Sequence, residues 1–165
     1  DILGGESPGE FASRVAFEKA ASVSRGLGGD IVVLGADTIV VVDDVVLGKP
    51  LDENDAARML GLISGREHDV LTAFSILRPP EEPLHAEIVR TAVRVSRLAA
   101  SEIEGYIKTG EPMDKAGAYG IQGIGAFMVE GITGSYTNVV GLPLPEVLGA
   151  LTKLGAVRLF GRDES

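Results

Sequence analysis

Ile31-Val32-Val33-Leu34-Gly35-Ala36-Asp37-Thr38-Ile39-Val40-Val41-Val42-Asp43-Asp44-Val45-Val46-Leu47 is a run of aliphatic, mostly β-branched residues broken by acidic ones. Side chains of this kind suit a pleated, half-buried surface. Ile31–Leu34 and Thr38–Asp43 are therefore predicted as strands, and Asp43-Asp44 as a tight turn returning the chain through Val45-Val46-Leu47. Gly35-Ala36-Asp37 between the strands sets a carboxylate among apolar neighbours. An isolated buried charge is very costly, so Asp37 is paired, hydrogen-bonded or metal-bound, or else it caps a turn. The segment by itself leaves these readings open.

Outward from this run, Ser7-Pro8-Gly9-Glu10 joins an N-cap serine, a proline at the first helical position and a glutamate three residues after the serine. That pattern predicts a capping box and a helix to about Arg25. Asp52 is expected to cap a second helix that stops at Gly65. Val70–Leu77 and Glu87–Leu98 form an expected hairpin across Pro79-Pro80-Glu81-Glu82-Pro83. Ser101 with Glu104 predicts another capping box and a helix ending near Gly110, followed by a short strand at Ala126–Val129 and a last helix at Leu144–Leu154. This irregular alternation gives an α/β fold class: a mixed sheet flanked by helices, in one domain over residues 1–165.

Composition narrows the function. With 165 residues and 45% hydrophobic content the chain can bury one sizeable core. Its longest apolar run, Ile31–Val42, is far short of the roughly 18 to 20 residues that cross a bilayer, and no membrane partner is expected. There are no cysteines, so disulfide and thiolate chemistry is excluded; a cytoplasmic location fits. A net charge of −9 argues against a nucleic-acid polymer as partner, since such binding needs a broad positive surface. A small anion can still be held by a few converging cations and backbone N–H groups.

Three segments carry more glycine and polar residues than a plain connection needs: Gly35-Ala36-Asp37-Thr38, Leu47-Gly48-Lys49-Pro50-Leu51-Asp52, and Asp114-Lys115-Ala116-Gly117-Ala118-Tyr119-Gly120-Ile121-Gln122-Gly123. Lys49 alone reads as a solvated surface lysine, but an antiparallel return can bring it to the same sheet edge as Asp37. The third segment suits a loop whose backbone approaches a ligand, with Lys115, Tyr119 and Gln122 supplying charge and directed hydrogen bonds. No Walker loop and no Gly-x-Ser-x-Gly elbow occurs. His68 and His85 lack metal-ligand spacing and are expected as strand residues with satisfied rings.

Together with Leu62-Ile63-Ser64-Gly65-Arg66-Glu67-His68 and Gly134-Ser135-Tyr136 through Gly141-Leu142-Pro143-Leu144, these motifs closely resemble the Maf family over nearly the whole chain. The resemblance implies an elongated fold similar to the inosine triphosphate pyrophosphatases, often homodimeric. It also implies a nucleotide cleft, a nucleoside triphosphate substrate, and cleavage between the α and β phosphates that depends on a divalent metal. Mg²⁺ or Mn²⁺ is expected, because the site offers oxygen ligands and no thiolate. By motif, Asp37 resembles the family's proton acceptor and is also the metal-ligand candidate. Thr38 and Gln122 resemble its substrate-selecting positions, and Lys49, Lys115 and Lys19 its phosphate-facing cations. Gln122 is similar to the dTTP- and UTP-preferring branch, whereas the branch acting on 7-methyl-GTP typically carries glutamate there. Family members usually begin with a strand and Ser-x-Ser-Pro-Arg-Arg, so this chain is expected to lack that strand and phosphate loop; Gly9-Glu10 stands where two arginines would be needed. The rivals are a non-catalytic nucleotide- or protein-binding regulator of septum formation and a 7-methyl-GTP pyrophosphatase.

Overall fold

The computed structural model describes residues 3–160. Helix α1 (Pro8–Ser24) starts on the expected capping box. The Ser7 amide and hydroxyl donate to Glu10 Oε2 at 2.8 and 2.6 Å, and the Glu10 amide returns to Ser7 Oγ at 3.4 Å. Its buried face is Ala12, Ala16, Ala20 and Ala21, a helical spacing of small residues. Small side chains let the helix lie directly on strand β1 (Val33–Val42) at Gly35. A Cβ at Gly35 would stand 2.4 Å from the Ala16 carbonyl oxygen and 2.6 Å from the Ala20 nitrogen.

The two strands expected on either side of Gly35-Ala36-Asp37 are in fact one. Gly35, Ala36 and Asp37 stay in register opposite Ser75, Phe74 and Ala73 of strand β3 (Glu67–Arg78). A full-length partner supplies the pairing that local composition argued against, and Gly35 marks a close approach of backbones rather than a break. The turn at Asp43-Asp44 is as expected. Both residues have positive φ, +48° and +63°, which matches the twist of a two-residue hairpin, and β2 (Val45–Leu47) pairs back onto Val40–Val42.

Asp52 caps α2 (Glu53–Ile63), accepting from the Asp55 amide at 2.8 Å. β3 and β4 (Glu82–Val95) form the expected hairpin. Helix α3 (Ala100–Lys108) begins earlier than Ser101-x-x-Glu104 suggested. Its first turn is closed by Glu102, which accepts from the Ala99 amide at 2.7 Å. The strand expected at Ala126–Val129 is a 3₁₀ turn, Ile124–Met128, with β5 (Val129–Thr133) following it. The glycines at 123 and 125 permit that tight winding. Two further helices, α4 (Tyr136–Val140) and α5 (Leu144–Lys153), complete the described chain; the second is the expected last helix.

The sheet order is β2-β1-β3-β4-β5. The α/β class and the flanking helices are as expected, but the mixed sheet is corrected: all four pairings among the described residues are antiparallel. Hairpins join β1 to β2 and β3 to β4, and the connection through α2 crosses over β1, so that β2 and β3 flank it, each antiparallel to β1 and both running in the same direction. Alternation along β1 then serves two layers. Ile39 and Val41 pack with Ala12 and Ala16 of α1, while Val40 and Val42 join Leu47, Met59, Leu60, Ile63, Tyr106 and Tyr119 on the other face.

Gly35→Ala should destabilise the fold by about 1 to 3 kcal/mol, the usual range for overpacking, because helix backbone has no rotamer with which to yield. Urea unfolding checks this; an unchanged midpoint would mean that α1 can move away from β1 freely.

Candidate active site

A cleft of about 510 Å³ opens beside β1. β2 pairs only with Val40–Val42. Among the described residues, Ala36–Thr38 therefore has no strand neighbour on that side, and side chains from both faces of β1 reach the same space. This is how Asp37, on the α1 face, and Thr38, on the opposite face, line one cleft. Lys19 from α1, Lys49 after β2, Lys115, Tyr119 and Gln122 from the glycine-rich loop, and Val139–Gly141 at the end of α4 complete the walls. All six residues that the motifs singled out, Lys19, Asp37, Thr38, Lys49, Lys115 and Gln122, come together here.

The glycine-rich loop is anchored on the hairpin. The Gly117 amide donates to the Gly48 carbonyl at 3.0 Å, next to Lys49. Gly117 has φ +71°, and a Cβ there would meet the Val40 methyls at 2.9 Å. The stem of Lys115 runs across Gly120, where a Cβ would lie 2.8 Å from its Cε. Lys115 Nζ donates to Asp114 Oδ1 at 2.7 Å, which holds the Asp114 carboxyl below its usual range. Lys19 Nζ donates to Asp37 Oδ1 at 2.6 Å and to the Ala36 carbonyl at 3.2 Å.

Beneath the cleft lies a buried polar network that the sequence did not reveal. Thr38 Oγ1 is 2.9 Å from Thr72 Oγ1, which donates to the Asn138 carbonyl at 3.1 Å. Thr38 also reaches the Gly141 carbonyl at 3.3 Å. The Asn138 amide donates to the Val70 carbonyl at 3.1 Å and to Thr91 Oγ1 at 2.9 Å. These bonds fasten the short helix α4 to the sheet, so its C-terminal end forms a fixed wall. On the loop side, Tyr106 and Glu111 hold the backbone of Gly120–Gly125. Of these residues only Thr38 was singled out by its motif.

Tyr119 is supported from below by His68, whose Nε2 is 2.8 Å from the phenol oxygen. Both rings are buried. Burial pushes the imidazole down to about 4, against the opposing charge of Asp69, and pushes the phenol up. The expectation of satisfied histidine rings is half met at His68, whose Nδ1 has no partner among the described residues. His85 stacks on Phe74 and meets Glu87 at 3.1 Å.

Asp37 and Asp114 are the carboxylates of the cleft, and no cluster of three or more His, Cys, Asp or Glu able to hold a metal occurs among the described residues. One or two carboxylates suit Mg²⁺ or Mn²⁺ whose remaining ligands come from substrate phosphates and water, and they do not suit an all-protein cage. No helix among the described residues is long and apolar enough to cross a membrane.

The family model described as "Maf-like protein" matches residues 3–154. The chain is 52% identical over 159 residues to a dTTP/UTP pyrophosphatase of Syntrophotalea carbinolica, covering 96% of this chain and 72% of the relative. It is 46% identical over 159 residues to a dTTP/UTP pyrophosphatase of Clostridioides difficile, covering 96% and 81%. A dTTP/UTP pyrophosphatase of Symbiobacterium thermophilum is 52% identical over 150 residues, covering 91% and 76%.

His68 should make stability depend on pH. Its folded value of about 4 lies below the ordinary 6.5, so the unfolded chain takes up the proton first. The contribution is full above pH 6.5 and is lost as pH falls toward 4, by about 3 kcal/mol over the window. Urea unfolding at pH 7 and pH 4 should show His68→Gln losing less stability than wild type between the two; equal losses would assign the dependence to other groups.

Proposed function

The chain belongs to the Maf-like protein family, and we propose on that footing that it is a nucleoside triphosphate pyrophosphatase acting on dTTP and UTP. The observation that carries the reading is the convergence of an acidic residue, three lysines and an amide side chain on one cleft, in a chain about half identical to proteins named for that activity. Those names favour it over the 7-methyl-GTP and non-catalytic readings.

In this reading Asp37 accepts a proton from the attacking water. Lys19 occupies one carboxylate oxygen, and a carboxylate has a second to offer. As the water oxygen bonds to the α-phosphorus, the bond from that phosphorus to the α–β bridging oxygen breaks. The proton passes to Asp37, and the products are the nucleoside monophosphate and pyrophosphate. Lys49 and Lys115 neutralise the charge that builds on the phosphate oxygens, and Lys19 keeps Asp37 oriented. Mg²⁺ or Mn²⁺, held by Asp37 and the substrate's own phosphates, would supply further charge neutralisation and acidify the attacking water. Gln122 offers both a donor and an acceptor to a pyrimidine edge, and Thr38 contributes a hydroxyl to the same cleft.

Asp37→Asn should lower kcat for pyrophosphate release from dTTP by roughly 100-fold or more, and leave nucleotide affinity within about tenfold, because shape is kept and the proton acceptor is lost. An Asn variant with wild-type turnover would remove Asp37 from the reaction. Gln122→Glu should lower kcat/KM for dTTP and UTP by about ten- to 100-fold, since an ionised carboxylate cannot donate to the base. A panel of dTTP, UTP, GTP and 7-methyl-GTP reads this out, and equal rates across it in the wild type would sink the specificity claim.

A further inference from the structure

Gln122 sits within a short loop whose far end is tied to one carboxylate directly and whose near end is tied to it through a phenol. Glu111 Oε2 accepts from the Ile124 amide at 2.8 Å, and Oε1 accepts from the Gly125 amide at 2.8 Å. The Tyr106 hydroxyl donates to Glu111 Oε1 at 2.9 Å and accepts from the Gly120 amide at 3.3 Å. The packing admits only glycine at two points. At Gly123, with φ +95°, a Cβ would stand 2.6 Å from Glu111 Oε2; at Gly125 it would stand 2.6 Å from the Tyr106 hydroxyl. The backbone amides, Gly125 first, hold the Glu111 carboxyl below its usual range. Neither Glu111 nor Tyr106 is among the residues lining the cleft, so neither is placed to touch the substrate.

We infer that Glu111 is a positioning residue for base selection: through its two oxygens and the Tyr106 hydroxyl it fixes the Gly120–Gly125 backbone, and so sets where the Gln122 amide meets the pyrimidine. The inference rests on the reading of Gln122 as the base-facing residue. A carboxylate is needed at 111, because loop N–H groups arrive at both of its oxygens while a glutamine would turn an NH₂ toward one of them. A wandering Gln122 loses directed hydrogen bonds to the base, while Lys49 on the β1–β2 hairpin and Lys115 ahead of the held backbone remain to meet the phosphates.

The test measures kcat and KM for dTTP and dGTP in wild type, Glu111→Gln and Tyr106→Phe, each also in a Gln122→Ala background, with inorganic tripolyphosphate as competitive inhibitor. Because a displacement of about 1 Å at a reacting site can cost 100-fold, the dTTP-to-dGTP selectivity of Glu111→Gln should fall by about tenfold, mainly through KM for dTTP. Tyr106→Phe should show a smaller fall, tripolyphosphate inhibition should stay as in wild type, and neither change should lower selectivity further once Gln122 is alanine. A merely structural role would weaken dTTP, dGTP and tripolyphosphate together, and that result overturns the inference. So does wild-type selectivity in a folded Glu111→Gln; should that variant not fold, unchanged selectivity in Tyr106→Phe overturns it instead. A selective wild type with selective variants defeats this inference alone, whereas a wild type that does not distinguish dTTP from dGTP defeats the Gln122 reading and this inference with it.

Discussion

At Gly117 the backbone lies so near Val40 that a side chain would stand 2.9 Å from its methyls, and the same glycine donates its N–H to the Gly48 carbonyl at 3.0 Å. The cleft depends on this contact. It draws the loop from Asp114 to Gly123 over the β1–β2 hairpin, so that Lys115 in one and Lys49 in the other face the same space. A left-handed conformation and a missing Cβ are both required, and only glycine supplies both cheaply. The opposite wall uses the same device, since α1 can bring Lys19 to Asp37 only because Gly35 lets the helix backbone rest on the strand.

Two close approaches on either side of one strand explain why the site sits at an edge. β1 is covered by α1 on one face and by the glycine-rich loop on the other, while β2 is too short to pair beyond Val40. The strand end left without a neighbour among the described residues is therefore enclosed but not closed. Consecutive residues there point to opposite faces, yet both faces open on the cleft. An acid and a hydroxyl thus become neighbours at a ligand-sized space without any turn between them. The Thr38–Thr72–Asn138 chain then fixes the third wall from inside the sheet, although the buried Asn138 Oδ1 has no partner among the described residues.

What was legible in the sequence follows from how local each signal is. The capping box at Ser7, the I′-type turn at Asp43-Asp44 and the cap at Asp52 are set by residues within four positions, and they appear as read. Gly35-Ala36-Asp37 read as a break because glycine and aspartate disfavour strands locally, and the pairing with β3 that overrides this lies almost 40 residues away. Charged and glycine-flanked cleft residues were legible because such residues inside apolar runs are rare. Asn138, Thr72, Tyr106 and Glu111 were not, since an ordinary polar residue shows its use only when its partner, often far along the chain, is in place.

The charge pattern of the cleft bears on how an anion is received by a chain with net charge −9. Two of its lysines already hold carboxylates, Lys115 with Asp114 and Lys19 with Asp37. The pairs are not equivalent. Asp114 is 77% exposed, so water readily replaces Lys115 when the lysine turns to a phosphate, and little is lost by exchanging one screened anion for another. Asp37 is only 16% exposed and has little water to fall back on, so Lys19 is better retained than released as a phosphate arrives. The pair with the exposed carboxylate therefore belongs to the loop, and the pair with the sheltered one to the helix. On the proposed reading, Lys115 and Lys49 are the cations that meet a phosphate, and Lys19 the one that stays with Asp37.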